Sequence, residues 1–291
     1  MLFRVLGGAV AGMVLLWLVW RWDTRPKVVR VIAAPDLPAD GFSHDRFEGL
    51  LRQFTTAGGR VNYGAWHANA TAQQDFDMYL ATLAEASPDS DPERFTDDAE
   101  RLRYWMHAYN AFVIKAVLVN WPLERVTDVK APIEFIKGLG FFYKLRFVAG
   151  GIVLSLWEIE REKVFASHRD PRAHFVLNCA SASCPVIRPS LPSGPALEAA
   201  LVTAARDFVT NPKNVSVDHT SRRIRLSTIF KWYEKDFVRD LERRGLPASE
   251  GPLDYVRHIA PAALRDELAQ AADYPVEYVD YDWSVNAAGA A

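Results

Sequence analysis

Hydrophobic positions along the chain fall first into one unbroken run and then into a series of helical stripes. From Val5 to Trp20 no residue is charged, and the run of roughly 16 residues lies between a signal-peptide core and a full membrane span. Arg21 to Lys27 follow without the small residues that a cleavage site needs. The expectation is an uncleaved anchor helix over residues 1–22, with Trp17, Trp20 and Trp22 at the membrane interface. A buried core helix is the alternative. Residues 23–42 contain Pro26, Pro35, Pro38 and Gly41 and read as a linker without regular structure.

From residue 43 the pattern is that of a folded body. Ser43 caps a helix over 43–56, with Phe47, Leu50, Leu51 and Phe54 inward. A second helix runs from Asp75 to Ala86. The longest, Asp97 to Asn120, carries a wide stripe of Leu102, Trp105, Met106, Tyr109, Phe112, Val113, Ala116 and Val117, and Pro122 stops it. Alternation over Phe141–Val148 and Ile152–Leu154, about Ala149-Gly150-Gly151, predicts a hairpin. Ser155 and Glu158 form a capping-box pattern opening a helix to Phe165. Its Glu158, Glu160, Arg161, Glu162 and Lys163 read as a solvated face. Ala173 to Leu177 reads as a short apolar strand. A helix follows over Ala196 to Thr210, then a second hairpin of Val215–Val217 and Arg223–Leu226. Helices over Thr228–Asp236 and Leu253–Ile259 and a strand over Val276–Trp283 complete the body. The fold class expected is α+β: one helix-rich domain, residues 43–283, with a small mostly antiparallel sheet, preceded by the anchor helix and followed by a disordered tail over 284–291.

Composition narrows the function classes. The chain has 291 residues, 49% hydrophobic and 24% charged, with a net charge of -2. That balance gives no electrostatic footprint for nucleic acid. Two cysteines cannot build a disulfide framework or a four-thiolate zinc site, and the 7 histidines are scattered, so no metal is expected. Phosphate-loop, dinucleotide and nucleophile-elbow motifs are lacking, and no cofactor is expected.

The chemistry concentrates in His174 to Pro185, which holds both cysteines. Here an apolar stretch empties into small polar residues: Asn178, Cys179, Ser181, Ser183 and Cys184. A thiol is nucleophilic only when deprotonated, so it needs a base, a cation or a helix N-terminus beside it. His174 is the nearest base in sequence, although residues five apart on a straight strand point to opposite faces. Structural thiols and a disulfide are equally open readings of the two cysteines. On the longest helix Arg103, His107 and Asn110 follow at i, i+4 and i+7. Asn110 is either a buried amide bonding to neighbouring backbone or, with His107, a group facing the thiol loop and orienting its base.

The run His174–Pro185 resembles the HFALNCASKSCPP signature of the DUF547 family, a domain of unknown function. Tyr104–Asn110 is similar to that family's YWINAYN segment, with His107 where the family usually has Asn. Phe230–Phe237, with Lys231, Trp232, Tyr233 and Asp236, is similar to its K-x-WY-x-x-DF segment. Those positions enter the candidate site through the resemblance, which names no reaction. It also implies that plant relatives keep the first cysteine and carry serine at the second, making Cys179 the more important thiol. A plain Lys/Arg count around the anchor would keep the body in the cytoplasm, whereas bacterial members of the family often carry an exported body. The expectation is a periplasmic or extracytoplasmic domain, tethered to the membrane through residues 5–20.

Two function classes follow. One is a cysteine-dependent hydrolase or transferase with Cys179 as nucleophile, a histidine, His174 being the nearest candidate, as base, and Asn110, His107 or an acid orienting it, acting on a small-molecule or peptide substrate. The other is a non-catalytic envelope binding module with structural cysteines. In either case Asn178, Ser181, Ser183, Cys184, Lys231, Trp232, Tyr233 and Asp236 are the expected binding residues.

Overall fold

The computed structural model describes residues 26–131 and 137–289. The expected anchor helix lies outside the described residues. Among the described residues no helix is long and apolar enough to cross a membrane.

The body is helix-rich with small mixed sheets, built about the helix Asp98–Val119. Asp97 caps it by accepting the Glu100 N–H at 2.8 Å. Its apolar residues spread round most of the circumference because it is buried on nearly every side. Helices Tyr63–Ala68 and Ala70–Glu85, strand Leu145–Ala149 and the helical segment from Leu156 all pack on it. Helix Asp45–Phe54 covers Ala70–Glu85, with Phe47 stacked on Tyr79 at 5.0 Å and Phe54 on Trp66 at 5.0 Å.

Helix Tyr63–Ala68 lies where the apolar pattern predicts none, and helix Ala70–Glu85 starts five residues before the expected Asp75. Asn62 and Asn69 each accept a backbone N–H three residues on, from Ala65 at 3.1 Å and Ala72 at 3.0 Å. The Asn69 cap starts its helix two residues before the first buried position, Ala72. Ser155 and Glu158 do form the reciprocal capping box. The helix after them is wound as wide π turns over Ile159–Phe165 before closing at Ala166–His168. The wider winding turns Glu160 and Arg161 into a cleft, away from the solvated face expected for them.

The expectation of one mostly antiparallel sheet is corrected. There are two three-stranded sheets among the described residues, each with one antiparallel and one parallel pairing. In the first, Leu145–Ala149 and Ile152–Ser155 form the expected hairpin, with Gly150 and Gly151 both at positive φ as a two-residue turn demands. A side chain at Gly150 would also meet Ser87 Oγ at 2.1 Å. The expected start of that strand, Phe141 to Lys144, is a π turn, Gly140–Lys144. The third strand is Lys27–Val28, parallel to Leu145–Arg146, so the segment read as a structureless linker docks on the body. In the second sheet the hairpin Val215–Asp218 and Arg223–Ser227 gains a parallel partner, Val276–Val279. Parallel partners come from far along the chain, and alternation within one segment carries no signal of them.

The helix expected over Thr228–Asp236 breaks at Tyr233 into Thr228–Trp232 and Glu234–Arg243. The expected tail is also corrected. Val285, Asn286 and Ala287 are buried, and the segment bridges to Val61, Arg125 and Ser181.

Trp105 is 2% exposed, edge-on to Tyr104 at 5.0 Å, with Lys163 Nζ 5.6 Å from its ring centre. Trp105→Ala is expected to destabilise the body by about 3–5 kcal/mol, read from the denaturant midpoint. An unchanged midpoint would show that this stripe contributes no core.

Candidate functional site

The strand expected over Ala173–Leu177 does not form. Pro171 opens a 3-10 turn, Pro171–Phe175, capped by Asp170, which accepts the Arg172 N–H at 2.9 Å. Proline at the first helical position favours such a turn, and a five-residue apolar run fits a buried helical turn as well as a strand. The chain then swings round at Asn178, which is buried and fully engaged. Its N–H donates to Asn110 Oδ1 at 2.8 Å and its Nδ2 to the Pro185 carbonyl at 2.5 Å. Its Oδ1 accepts from Ala180 N–H at 2.8 Å and Asn286 Nδ2 at 3.1 Å. Asn110 Nδ2 donates to the Val176 carbonyl at 3.2 Å. Asn110 thus bonds neighbouring backbone, and the backbone it holds is that of the thiol loop.

Ala180 adopts φ +62°, a conformation that side chains disfavour. It is held there by bonds on both sides, from its N–H to Asn178 and from the Asn286 N–H to its carbonyl at 2.9 Å. The C-terminal segment continues the clamp. Ala182 N–H donates to the Ser284 carbonyl at 2.7 Å, and Asp282 N–H to Ser183 Oγ at 2.9 Å. Ser183 therefore serves the loop's own framework.

Both cysteines are free thiols. Cys179 Sγ lies 3.0 Å from Ser181 Oγ and 3.1 Å from the Tyr281 hydroxyl, and Ser181 Oγ donates to Tyr281 at 2.7 Å. The Cys179 amide donates to Cys184 Sγ at 2.8 Å. Burial pushes the Cys179 thiol up, but hydrogen bonds from Cys184, Ser181 and Tyr281 together outweigh it and bring the thiol down to about 7. Burial and the neighbouring Cys179 hold Cys184 well above the usual thiol range. Among the described residues no imidazole nitrogen is a Cys179 partner.

His174 lies elsewhere on the wall of the same cleft. Its ring is sandwiched between Phe165 and Tyr233, each at 3.8 Å, and its Nε2 meets Asp236 Oδ2 at 3.1 Å. Burial lowers its basicity to about 4, against the opposing pull of Asp236, so the ring is neutral at pH 7. Asp236, its side chain 17% exposed, also receives Arg161 at 3.3 Å. Beside them Glu160 is pushed up by burial, while the Tyr233 and Tyr109 hydroxyls and Arg161 pull it down less strongly.

The cleft has a volume of about 1080 Å³. Its mouth is aromatic: Trp157 and Trp232 are 40% and 46% exposed, Trp157 stacks on Tyr143 at 5.6 Å, and Trp232 lies 4.6 Å from Tyr281. Lys231 Nζ sits 5.7 Å from the Tyr278 ring centre. Cys179, Cys184, His174, Lys231, Trp232 and Tyr233 thus share one cleft.

His107 does not join it. Its ring stacks on His44 at 4.2 Å, and its Nε2 lies 3.2 Å from Glu48 Oε1 but out of line for a hydrogen bond. Arg103 Nη2 donates to the same oxygen at 3.2 Å. Burial holds His107 below the ordinary histidine range. The role of orienting a base therefore does not fall to His107; this is a separate buried polar cluster. Among the described residues no group of three or more His, Cys, Asp or Glu side chains is arranged to hold a metal ion.

Tyr281, Glu160, Trp157 and Asn286 were absent from the sequence candidates. Tyr281 and Asn286 lie beyond position 280, far from any motif, and Glu160 sits in a charged run where nothing marks it out.

Tyr281→Phe removes one hydroxyl from the Cys179 sulfur. Its thiolate titration, followed by alkylation rate against pH, is expected to move from about 7 toward the ordinary value of about 8.5. An unchanged profile would show that Tyr281 does not stabilise the thiolate.

Comparison with known proteins gives one finding. No curated protein and no solved structure matches the chain. The model of a family described as a protein of unknown function, DUF547, matches residues 92–209, from the turn before the central helix to the helix after the thiol loop. The family indicated by the motifs is thus the one whose model matches, over residues 92–209.

Proposed function

We propose that this domain is a cysteine-dependent hydrolase or transferase in which Cys179 is the nucleophile. The observation that carries the reading is the Cys179 sulfur itself, lining an open aromatic cleft and brought down to about 7 by hydroxyl and thiol neighbours. A thiolate present near neutral pH attacks an acyl carbon without a base in contact. The Tyr281 and Ser181 hydroxyls stabilise the thiolate before attack and return hydrogen bonds to it when it leaves. His174, neutral and held by Asp236, and Glu160, with its carboxyl pushed up, are the cleft groups suited to moving a proton to a leaving group. Asn110 and Asn178 are positioning residues that act through the backbone of the loop.

A second reading is a non-catalytic binding module of the envelope. It is favoured by the lack of an imidazole among the Cys179 partners and by the bond from the Cys179 amide to Cys184 Sγ, which gives Cys184 a structural task. In both readings the uncharged run at residues 5–20 tethers the body to a membrane, with the body outside the cytoplasm as the family resemblance implies.

An electrophilic thiol probe on the full-length chain in detergent separates the two readings. Labelling of Cys179 is expected to persist below pH 7, to exceed that of Cys184 several-fold, and to vanish in Cys179→Ala with the fold kept. Slow and equal labelling of both thiols, with an ordinary thiol pH profile, would remove the enzyme and leave the binding module.

The tether makes a separate prediction. Full-length protein is expected to stay with membranes through a high-salt wash and to leave only with detergent. Release of intact chain by salt would contradict it, as would a mature N-terminus mapped near residue 35.

A further inference from the structure

Residues five apart on an extended strand would be about 17 Å apart. Here the chain doubles back. The Cys184 N–H donates to the Ser181 carbonyl at 3.1 Å, and this turn carries Cys184 Sγ to 2.8 Å from the Cys179 amide nitrogen. The neck of the loop is pinned by Asn178 Nδ2 on the Pro185 carbonyl, and its outer edge by Ser284 and Asp282. Both thiols line the same cleft, so a small oxidant that reaches one reaches the other.

We infer that Cys179 and Cys184 are a reversible oxidation site, which a peroxide converts to an intramolecular disulfide. The thiols are unequal in the sense such a pair requires. Hydroxyl partners favour the Cys179 thiolate, and burial keeps Cys184 protonated. The Cys179 thiolate attacks one peroxide oxygen; the O–O bond breaks, an S–O bond forms, and the other oxygen leaves as hydroxide or alkoxide. Cys184 sulfur then attacks the sulfenic sulfur; an S–S bond forms, the S–O bond breaks, and the departing hydroxyl takes the Cys184 proton to leave as water, while the hydroxide of the first step takes the proton that Cys179 gave up. With hydrogen peroxide the sum is two thiols plus one peroxide giving one disulfide and two waters. The bond would cap Cys179 and block attack on substrate. That consequence rests on the reading of Cys179 as nucleophile, whereas the bond itself does not.

The test treats reduced full-length protein in detergent with stoichiometric hydrogen peroxide, then alkylates under denaturing conditions and reads intact and peptide masses. The expected product is lighter by two hydrogens, takes up no alkylating agent, carries a Cys179–Cys184 crosslinked peptide, and recovers both thiols with dithiothreitol. Cys184→Ser and Cys184→Ala are each expected to stop at a sulfenic acid on Cys179 that dimedone traps, with circular dichroism confirming the fold. Oxidation of wild-type Cys179 to the sulfinic acid without the crosslink would overturn the inference, as would disulfides only between chains. Crosslink formation in a protein whose Cys179 fails the electrophilic-probe test supports the oxidation site and overturns only the proposed enzyme.

Discussion

Three buried amide side chains, Asn110, Asn178 and Asn286, hold the thiol loop where it is. Asn110 reaches from the central helix to both the Val176 carbonyl and the Asn178 N–H. Asn178 ties its own loop across the neck, and Asn286 joins it from the C-terminal segment while accepting the Tyr63 hydroxyl at 3.0 Å. A buried polar group left without a partner costs about 1–3 kcal/mol, so a relay in which every member is engaged specifies one loop conformation. The unfavourable backbone at Ala180 and the contact between the two cysteines both depend on it.

The cleft sets burial against hydrogen bonding, and the two effects resolve differently at each group. For His174 burial wins, and the ring stays neutral despite Asp236. For Glu160 burial also wins, over two tyrosine hydroxyls and an arginine. For Cys179 burial loses, because its hydrogen-bonded neighbours Cys184, Ser181 and Tyr281 together outweigh it. The result is a Cys179 thiol brought down to about 7 in the same cleft as a neutral His174 and a Glu160 whose carboxyl is pushed up.

The central helix serves two polar clusters. Asn110 is two turns beyond Arg103, about 10 Å along the axis at 1.5 Å per residue. Arg103 and His107 turn to Glu48, whereas Asn110, only about 4.5 Å along the axis from His107, takes the thiol loop. Shared spacing on a helical face therefore did not bring His107 to the thiol. Its partners come from the helix Asp45–Phe54, whose Glu48 faces inward.

By itself the sequence determined what depends on neighbours within a few residues. The long helix and its stripe, the helix Ala196–Thr210, the two hairpins and the Ser155 cap were all readable, because periodicity, turn glycines and capping residues act locally. The motif residues also marked the thiol loop and its family. The tertiary structure alone decided the rest. It replaced the strand at Ala173–Leu177 with a turn, added the parallel strands, carried Tyr281 and Asn286 to a loop a hundred residues away, and matched His174 with Asp236. Each of these rests on pairing between distant segments, where burial fixes both which polar groups must meet and how far each one's affinity for a proton moves. Neither quantity is encoded in spacing along the chain, since both arise only when the segments close around one another.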